Sequence, residues 1–367
     1  MAQTKSKFSL KNFKIDIKSL LSGGTSDLGV DLGTANVLIY ADGKGLVVRE
    51  PSVVALDKNT GKILQVGAAA RNMLNRTPGN VVAMRPLREG IISDHEMTVR
   101  LLQALFKNAT QSGAFTAKPR VVISVPSGVT EVEERSVINA ALEAGARRVF
   151  LIEEPLAAGL GAGLDIKGAS GHLVVDIGAG TTDIAVLSMN GVAVSSSLKV
   201  AGDHMDELIG RYIRRQHGIA VGQVTAEQVK NQIGRVYVGA EEVTMNVKGR
   251  DVKTGMPRTV TLTSSEIFEV LRRPARQIVD EVLSVLEQTS PELVSDISEN
   301  GITLTGGCSQ LYGFDALLME RTGIPCTIAD DPDYCTAYGA GKSLGWINHM
   351  SEGPINIARK RARRNSL

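Results

Sequence analysis

The sequence predicts an α/β fold built twice over: two halves, each a mixed five-stranded sheet covered by helices, with a cleft between them. Three observations predict it. A strand–turn–strand–hairpin–strand unit occurs twice, helix and strand alternate after each copy, and the first turn of each copy joins an aspartate to a glycine-rich loop. The chain's 367 residues exceed what one hydrophobic core usually serves, and 43% apolar with 22% charged residues is a globular composition.

The first copy reads LGVDLGTANVLIYADGKGLVV (28–48) and the second LVVDIGAGTTDIAVLSMNGVAVSSS (173–197). Each has a β-branched run, an aspartate, a glycine turn and a second apolar strand. Asp42-Gly43 and Asn190-Gly191 then suit type I′ hairpin turns, whose central residues need positive φ. KPRVVISVP (118–126) supplies the next strand of the first half. Thr130 and Glu133 stand at capping-box spacing before a helix that ends at Gly145. The strand RRVFLIE follows, then a helix starting at Pro155. In the second half GITLT (301–305) is followed by Gly306-Gly307 opening a helix to about Arg321, the strand IPCTIA, and a last helix from about Asp333. The predicted first domain is 27–166 plus 341–352, with a small subdomain at 50–96. The second is 167–340, with a small subdomain at 204–268. Residues 1–26 form a leader and 353–367 a tail.

Charge is unevenly spread. Residues 1–20 carry five lysines against Asp16 and residues 351–367 five basic residues against Glu352, +4 at each end, which leaves −6 on the body of a chain whose net charge is +2. Basic ends favour an anionic surface, or serve as solubilising tails. No apolar run reaches the ~18 residues of a membrane-spanning helix, and the N-terminus lacks the unbroken apolar core of a secretory signal. The three cysteines, Cys308, Cys326 and Cys335, show no CxxC spacing, which argues against a thiolate metal site and for a reducing compartment. A cytoplasmic protein is expected.

The chemistry lies in the turns. Gly33-Thr34-Ala35-Asn36 and Gly178-Ala179-Gly180-Thr181 let backbone N–H groups approach an anion. Facing each other, they would hold a polyphosphate from both sides. Asp31 and Asp176 lead into them, 145 residues apart. At about 5 Å and an effective dielectric near 20, each carboxylate would repel a phosphate by roughly 3 kcal/mol. A hydrated Mg²⁺ between them reverses that sign. Gly306-Gly307 gives a nucleoside a flat, bulk-free corner. Glu227 and Lys230, three apart on a predicted helix, either grip a ribose or form a surface ion pair. Glu154, with Thr181 as second ligand, either orients a hydrolytic water or caps its helix.

VDLGTAN, LIEEPLAAGLGAG, VVDIGAGTTDIAV and LTGGCSQLYGF resemble the first phosphate, connecting, second phosphate and adenosine motifs of the actin superfamily. EPSVVALD, RTPGNVVAMRPLREGII and ELVSDISENGITLTGG further resemble the MreB/Mbl family of bacterial actin-like proteins. The resemblance implies a duplicated actin-like (ribonuclease H-like) fold with ATP and Mg²⁺ in the cleft. It implies that Gly33, Thr34, Ala35, Asn36, Gly178, Ala179, Gly180 and Thr181 contact phosphates and that Asp31 and Asp176 hold magnesium waters. Glu227 and Lys230 would take the ribose. Gly202, Asp203, Gly306, Gly307, Cys308 and Ser309 would take the nucleoside side, and Glu154 would activate water. Three departures stand out: GAG and GGC replace the usual GGG in the two loops, and Ala201 replaces a usual glycine.

Family members form filaments on the inner face of the cell membrane and organise peptidoglycan synthesis for cell shape. The resemblance therefore implies self-assembly, membrane contact and the cell-wall elongation machinery as partners, with no nucleic acid. Leu10, Phe13, Ile17, Leu20 and Leu21 share one helical face with Lys11, Lys14 and Lys18 largely off it, a basic amphipathic helix suited to a lipid interface. Ala114-Phe115 corresponds to a family membrane loop. Two rivals keep the same fold: a sugar or acid kinase, and a plasmid-segregating filament. A chaperone-like ATPase would need a further domain after residue 350.

Overall fold

The computed structural model describes residues 27–110, 118–239, 241–349 and 353–354. The amphipathic leader, Ala114-Phe115 and the basic tail beyond residue 354 lie outside the described residues.

The duplication is present strand for strand. In the first sheet Leu28–Leu32, Asn36–Ala41 and Gly45–Pro51 form an antiparallel meander, and Arg120–Val125 and Arg148–Glu153 add in parallel on the other side of Leu28–Leu32. In the second, His172–Ile177, Thr182–Ser188 and Gly191–Leu198 form the meander, and Ile302–Thr305 and Cys326–Ile328 add in parallel beside His172–Ile177. The first sheet has six strands rather than five, because Gly353–Pro354, assigned to the tail by sequence, pairs with Arg148–Glu153.

Local chemistry explains most element ends. Thr130 caps the helix Glu131–Glu143 in a reciprocal capping box with Glu133, and Gly145 takes φ 113° just past its end. The hairpin turns differ from expectation. Ser188 pairs with Gly191, so Met189 and Asn190, at φ 52° and 57°, form the positive-φ turn. Their N–H groups donate to Gly168 and Ile166, which holds the turn one residue early. In the first hairpin Gly43 takes φ 71° and Asp42 does not turn left-handed, because Ala41 pairs with Gly45 and the loop is one residue longer. The helix predicted from Pro155 runs Glu154–Gly161, the last helix begins at Cys335, and Gly307–Gln310 is a single 3₁₀ turn before the helix Phe314–Thr322.

The two sheets are joined by one pair of helices, Glu154–Gly161 and Cys335–Ser343, in a shared core. Val122 and Phe150 of the first sheet and Val174, Ala185 and Leu187 of the second bury Leu156, Ala157 and Ala340 between them. The helices touch backbone to backbone. A Cβ on Gly339 would stand 1.7 Å from the Ala157 carbonyl oxygen, and one on Gly161 1.8 Å from that of Cys335. Two smaller lobes flank the cleft. One holds the three-stranded sheet of Ile63–Val66, Val54–Asp57 and Val81–Met84, and the other that of Ile219–Ala220, Thr244–Asp251 and Pro257–Thr263. Among the described residues no helix is long and apolar enough to cross a membrane.

Replacing Gly339 by alanine should force this helix pair apart and destabilise the fold by about 1–3 kcal/mol in urea unfolding. Gly210→Ala, where a Cβ meets nothing within 4 Å, should be neutral or stabilising. Equal midpoints for the two variants would contradict the close-packed crossing.

Candidate functional site

A cleft of about 540 Å³ opens between the halves. Both glycine loops line it, as do Asp31, Asp176 and Glu154. The sheet register explains the symmetry: Asp31 lies opposite Ser124 and Asp176 opposite Thr305 on the neighbouring parallel strand. Each carboxylate thus meets a hydroxyl at the mouth of its sheet. Thr305 Oγ1 donates to Asp176 Oδ1 at 2.9 Å, Thr336 Oγ1 to its Oδ2 at 3.3 Å, and Ser124 Oγ to Asp31 Oδ1 at 3.4 Å.

The loops meet tightly. Gly90 N–H donates to Thr34 Oγ1 at 3.0 Å, and a Cβ on Gly180 would stand 2.2 Å from that oxygen. Gly306 is equally constrained, at φ 81° with the Ile177 carbonyl oxygen 2.4 Å from a hypothetical Cβ. The departures from the family pattern fit locally. Ala201 has extended backbone at φ −153°, open to any residue. The Cys308 thiol occupies space beside Gly202, whose added Cβ would lie 2.6 Å from it.

Most residues singled out by sequence line this cleft. Gly202, Asp203 and Ser309 are outside its lining. The Gly202 carbonyl accepts from Lys230 Nζ at 3.1 Å, Asp203 pairs with Arg85 at 2.9 Å, and Ser309 Oγ donates to the Gly306 carbonyl at 2.7 Å. Glu227 and Lys230 both line the cleft, each with its own partner rather than with each other. Lys230 is buried against Asp206 at 3.0 Å, and Glu227 meets Arg71 of the opposite lobe at 2.5 Å.

Sequence reasoning missed Asp183. It pairs across the ladder with Asp176, is 1% exposed, and its Oδ1 accepts from the Ser127 N–H of the other half at 2.7 Å. A carboxylate inside the otherwise apolar strand TDIAVLS was the signal available. Its Oδ2 is enclosed without a hydrogen-bond partner, and Glu154 is the neighbouring carboxyl.

Four carboxyls therefore crowd one low-dielectric space. Burial, then Asp176, push Asp31 up to about 7 against the Ser124 hydroxyl. Burial raises Asp176 to about 6 despite Thr305 and Thr336, and Asp183 to about 7. Burial, then Asp183, Asp31 and Asp176, raise Glu154 well above the ordinary range. Among the described residues no three His, Cys, Asp or Glu side chains converge to hold a metal ion directly.

The folded chain binds more protons at Asp31 than the unfolded chain does between pH 3.8 and about 7, so stability falls as pH rises through that window. In metal-free and nucleotide-free protein, Asp31→Asn should stabilise by about 2 kcal/mol more at pH 8 than at pH 5. An equal gain at both would show that Asp31 is not the titrating group.

Comparison with known proteins follows the same lines. The family model described as MreB/Mbl protein matches residues 25–352. The chain is 48% identical over 328 residues to the cell shape-determining protein MreB of Escherichia coli (strain K12), covering 88% of this chain and 94% of that one. It is 47% identical over 330 residues to the cell shape-determining protein Mbl of Bacillus subtilis (strain 168), covering 90% and 99%. The crystal structure of MreB5 of Spiroplasma citri bound to AMPPNP superimposes with a TM-score of 0.83 at 40% identity, over 88% of this chain and 96% of that one. With its doubled sheet, its paired acid-led loops and this match over most of its length, the chain belongs to the MreB/Mbl family of actin-like proteins.

Proposed function

We propose that this chain is an ATP-dependent cytoskeletal protein that assembles into filaments and determines cell shape by organising peptidoglycan synthesis at the inner face of the cell membrane. The observation that carries the reading is the cleft itself, where two glycine loops and the carboxyls of Asp31, Asp176 and Glu154, from both halves, face one space, with Asp183 buried beside them. The relatives' names as cell shape-determining proteins and the AMPPNP-bound structure of one relative support it.

The residues fit a magnesium nucleotide. Crowded carboxyls with one oxygen, Asp183 Oδ2, buried and unpartnered are a donor set that a hydrated divalent cation would relieve. Asp31 and Asp176 would hold such an ion, which when bound neutralises phosphate charge. The N–H groups around Gly33–Asn36 and Gly178–Thr181 bind phosphate oxygens, and Gly180 keeps the loops close. Glu227 and Lys230 take the ribose, and Gly306, Gly307 and Cys308 the adenosine. Gly202 and Ser309 support the site by fixing Lys230 and the Gly306 corner, and Asp203 by holding Arg85 of the other half.

Glu154, at the first turn of its helix, orients water towards the terminal phosphate, with Thr181 as its second hydrogen-bonding partner. Its carboxylate would accept the water's proton as the water oxygen bonds to the terminal phosphorus and the bond from that phosphorus to the bridging oxygen breaks, releasing nucleoside diphosphate and phosphate. The domains we propose for this division of labour are 27–166 with 341–352, and 167–340. A leader of residues 1–26 would bind lipid, worth roughly 6–8 kcal/mol for about four buried side chains before ordering costs, and filament avidity would multiply it.

Electron microscopy with ATP and Mg²⁺ on an anionic lipid monolayer tests the reading, and native protein should form membrane-bound filaments. Glu154→Ala should keep ATP binding and assembly while phosphate release falls by about 10²-fold or more. Absence of filaments from native protein would refute the cytoskeletal role, and normal turnover in the variant would remove Glu154 from catalysis.

A further inference from the structure

Two ion pairs join the halves across the mouth of the cleft with both members lining it, Arg71–Glu227 at 2.5 Å and Arg49–Asp333 at 3.2 Å. The Arg49 side chain is 54% exposed, which leaves that pair open to screening by water and salt. Arg71 and Glu227 are 34% and 22% exposed and make the shorter contact. Arg71 is also held in place. It ends the helix Gly67–Arg71, whose first turn is tied to the main sheet through the Ala68 N–H donating to Glu50 Oε2 at 2.8 Å. Glu227 stands one turn before Lys230 on the helix Gln223–Ile233, and Lys230 is fixed by Asp206 and the Gly202 carbonyl.

We propose that Arg71 is a positioning residue for the nucleotide site: its ion pair with Glu227 ties the two small lobes together over the cleft, orients Glu227 towards the ligand, and limits nucleotide release. The inference rests on the reading of the cleft as a nucleotide site and adds a residue to it. A nucleoside triphosphate entering this space lies beneath the pair, and leaving requires that the pair part. Two further cross-half ion pairs, Arg85–Asp203 at 2.9 Å and Glu89–Lys199 at 3.1 Å, stand outside the cleft lining. They hold the halves together without reaching the ligand, so loss of Arg71 leaves closure possible while freeing Glu227.

The test is the dissociation rate of a fluorescent ATP analogue with Mg²⁺, followed by stopped flow after chasing with unlabelled ATP. Arg71→Ala should release it about tenfold faster, with a smaller change in association. Arg71→Lys, which retains the charge, should recover most of the native rate. In a double-mutant cycle, Arg71→Ala added to Glu227→Ala should accelerate release little beyond Glu227→Ala alone, which a merely structural role for Arg71 would not produce. A native rate in Arg71→Ala, or full multiplication of the two effects in the double variant, would overturn the inference while leaving the nucleotide site intact. A native protein that binds no analogue at all would overturn both.

Discussion

Enclosing four carboxyl groups in one cleft is the constraint from which the rest of this structure follows. Asp176 and Asp183 are buried and Asp31 and Glu154 partly so, and burial with mutual repulsion raises all four and disfavours ionising them together without a positive partner. In the isolated chain burial favours their protonated forms. A cation-bound polyphosphate would relieve the crowding, since its metal offsets the carboxylates while its oxygens take the loop N–H groups. A ligand that relieved this crowding would tie occupancy of the cleft to the stability of the fold.

That coupling needs a scaffold on which the two halves stay in register. The crossing of Glu154–Gly161 with Cys335–Ser343 supplies it. Gly161 and Gly339 remove the side chains that would separate the helices, so Glu154 is delivered into the cleft from the very element that links the sheets. Asp183 is secured from the other half by the Ser127 N–H. The catalytic candidate and its neighbour thus belong to different halves.

Much of this was legible in the sequence because it is local. Repeated strand–aspartate–glycine–strand units declare both sheets and both loops, and the Thr130 capping box sits where its spacing put it. What was not legible depends on register or on distance in the chain. The left-handed turn falls on Met189-Asn190 rather than Asn190-Gly191 because residues 166 and 168 capture its N–H groups. Asp183 matters through its ladder partner Asp176, and Arg71 through Glu227, 156 positions away. Neither relation has a spacing rule. Family motifs name the loops around Gly202, Asp203 and Ser309 but not which of their atoms face the cavity.

The central claim is that the crowded carboxyls make nucleotide binding depend on a divalent cation. Titration calorimetry of ATP into native protein and into Asp176→Asn, each with Mg²⁺ and with EDTA, tests it most directly. The account predicts tight binding by native protein only with Mg²⁺, and a variant whose affinity is weaker with Mg²⁺ and much less sensitive to its removal. Equal native affinity in Mg²⁺ and EDTA would contradict it.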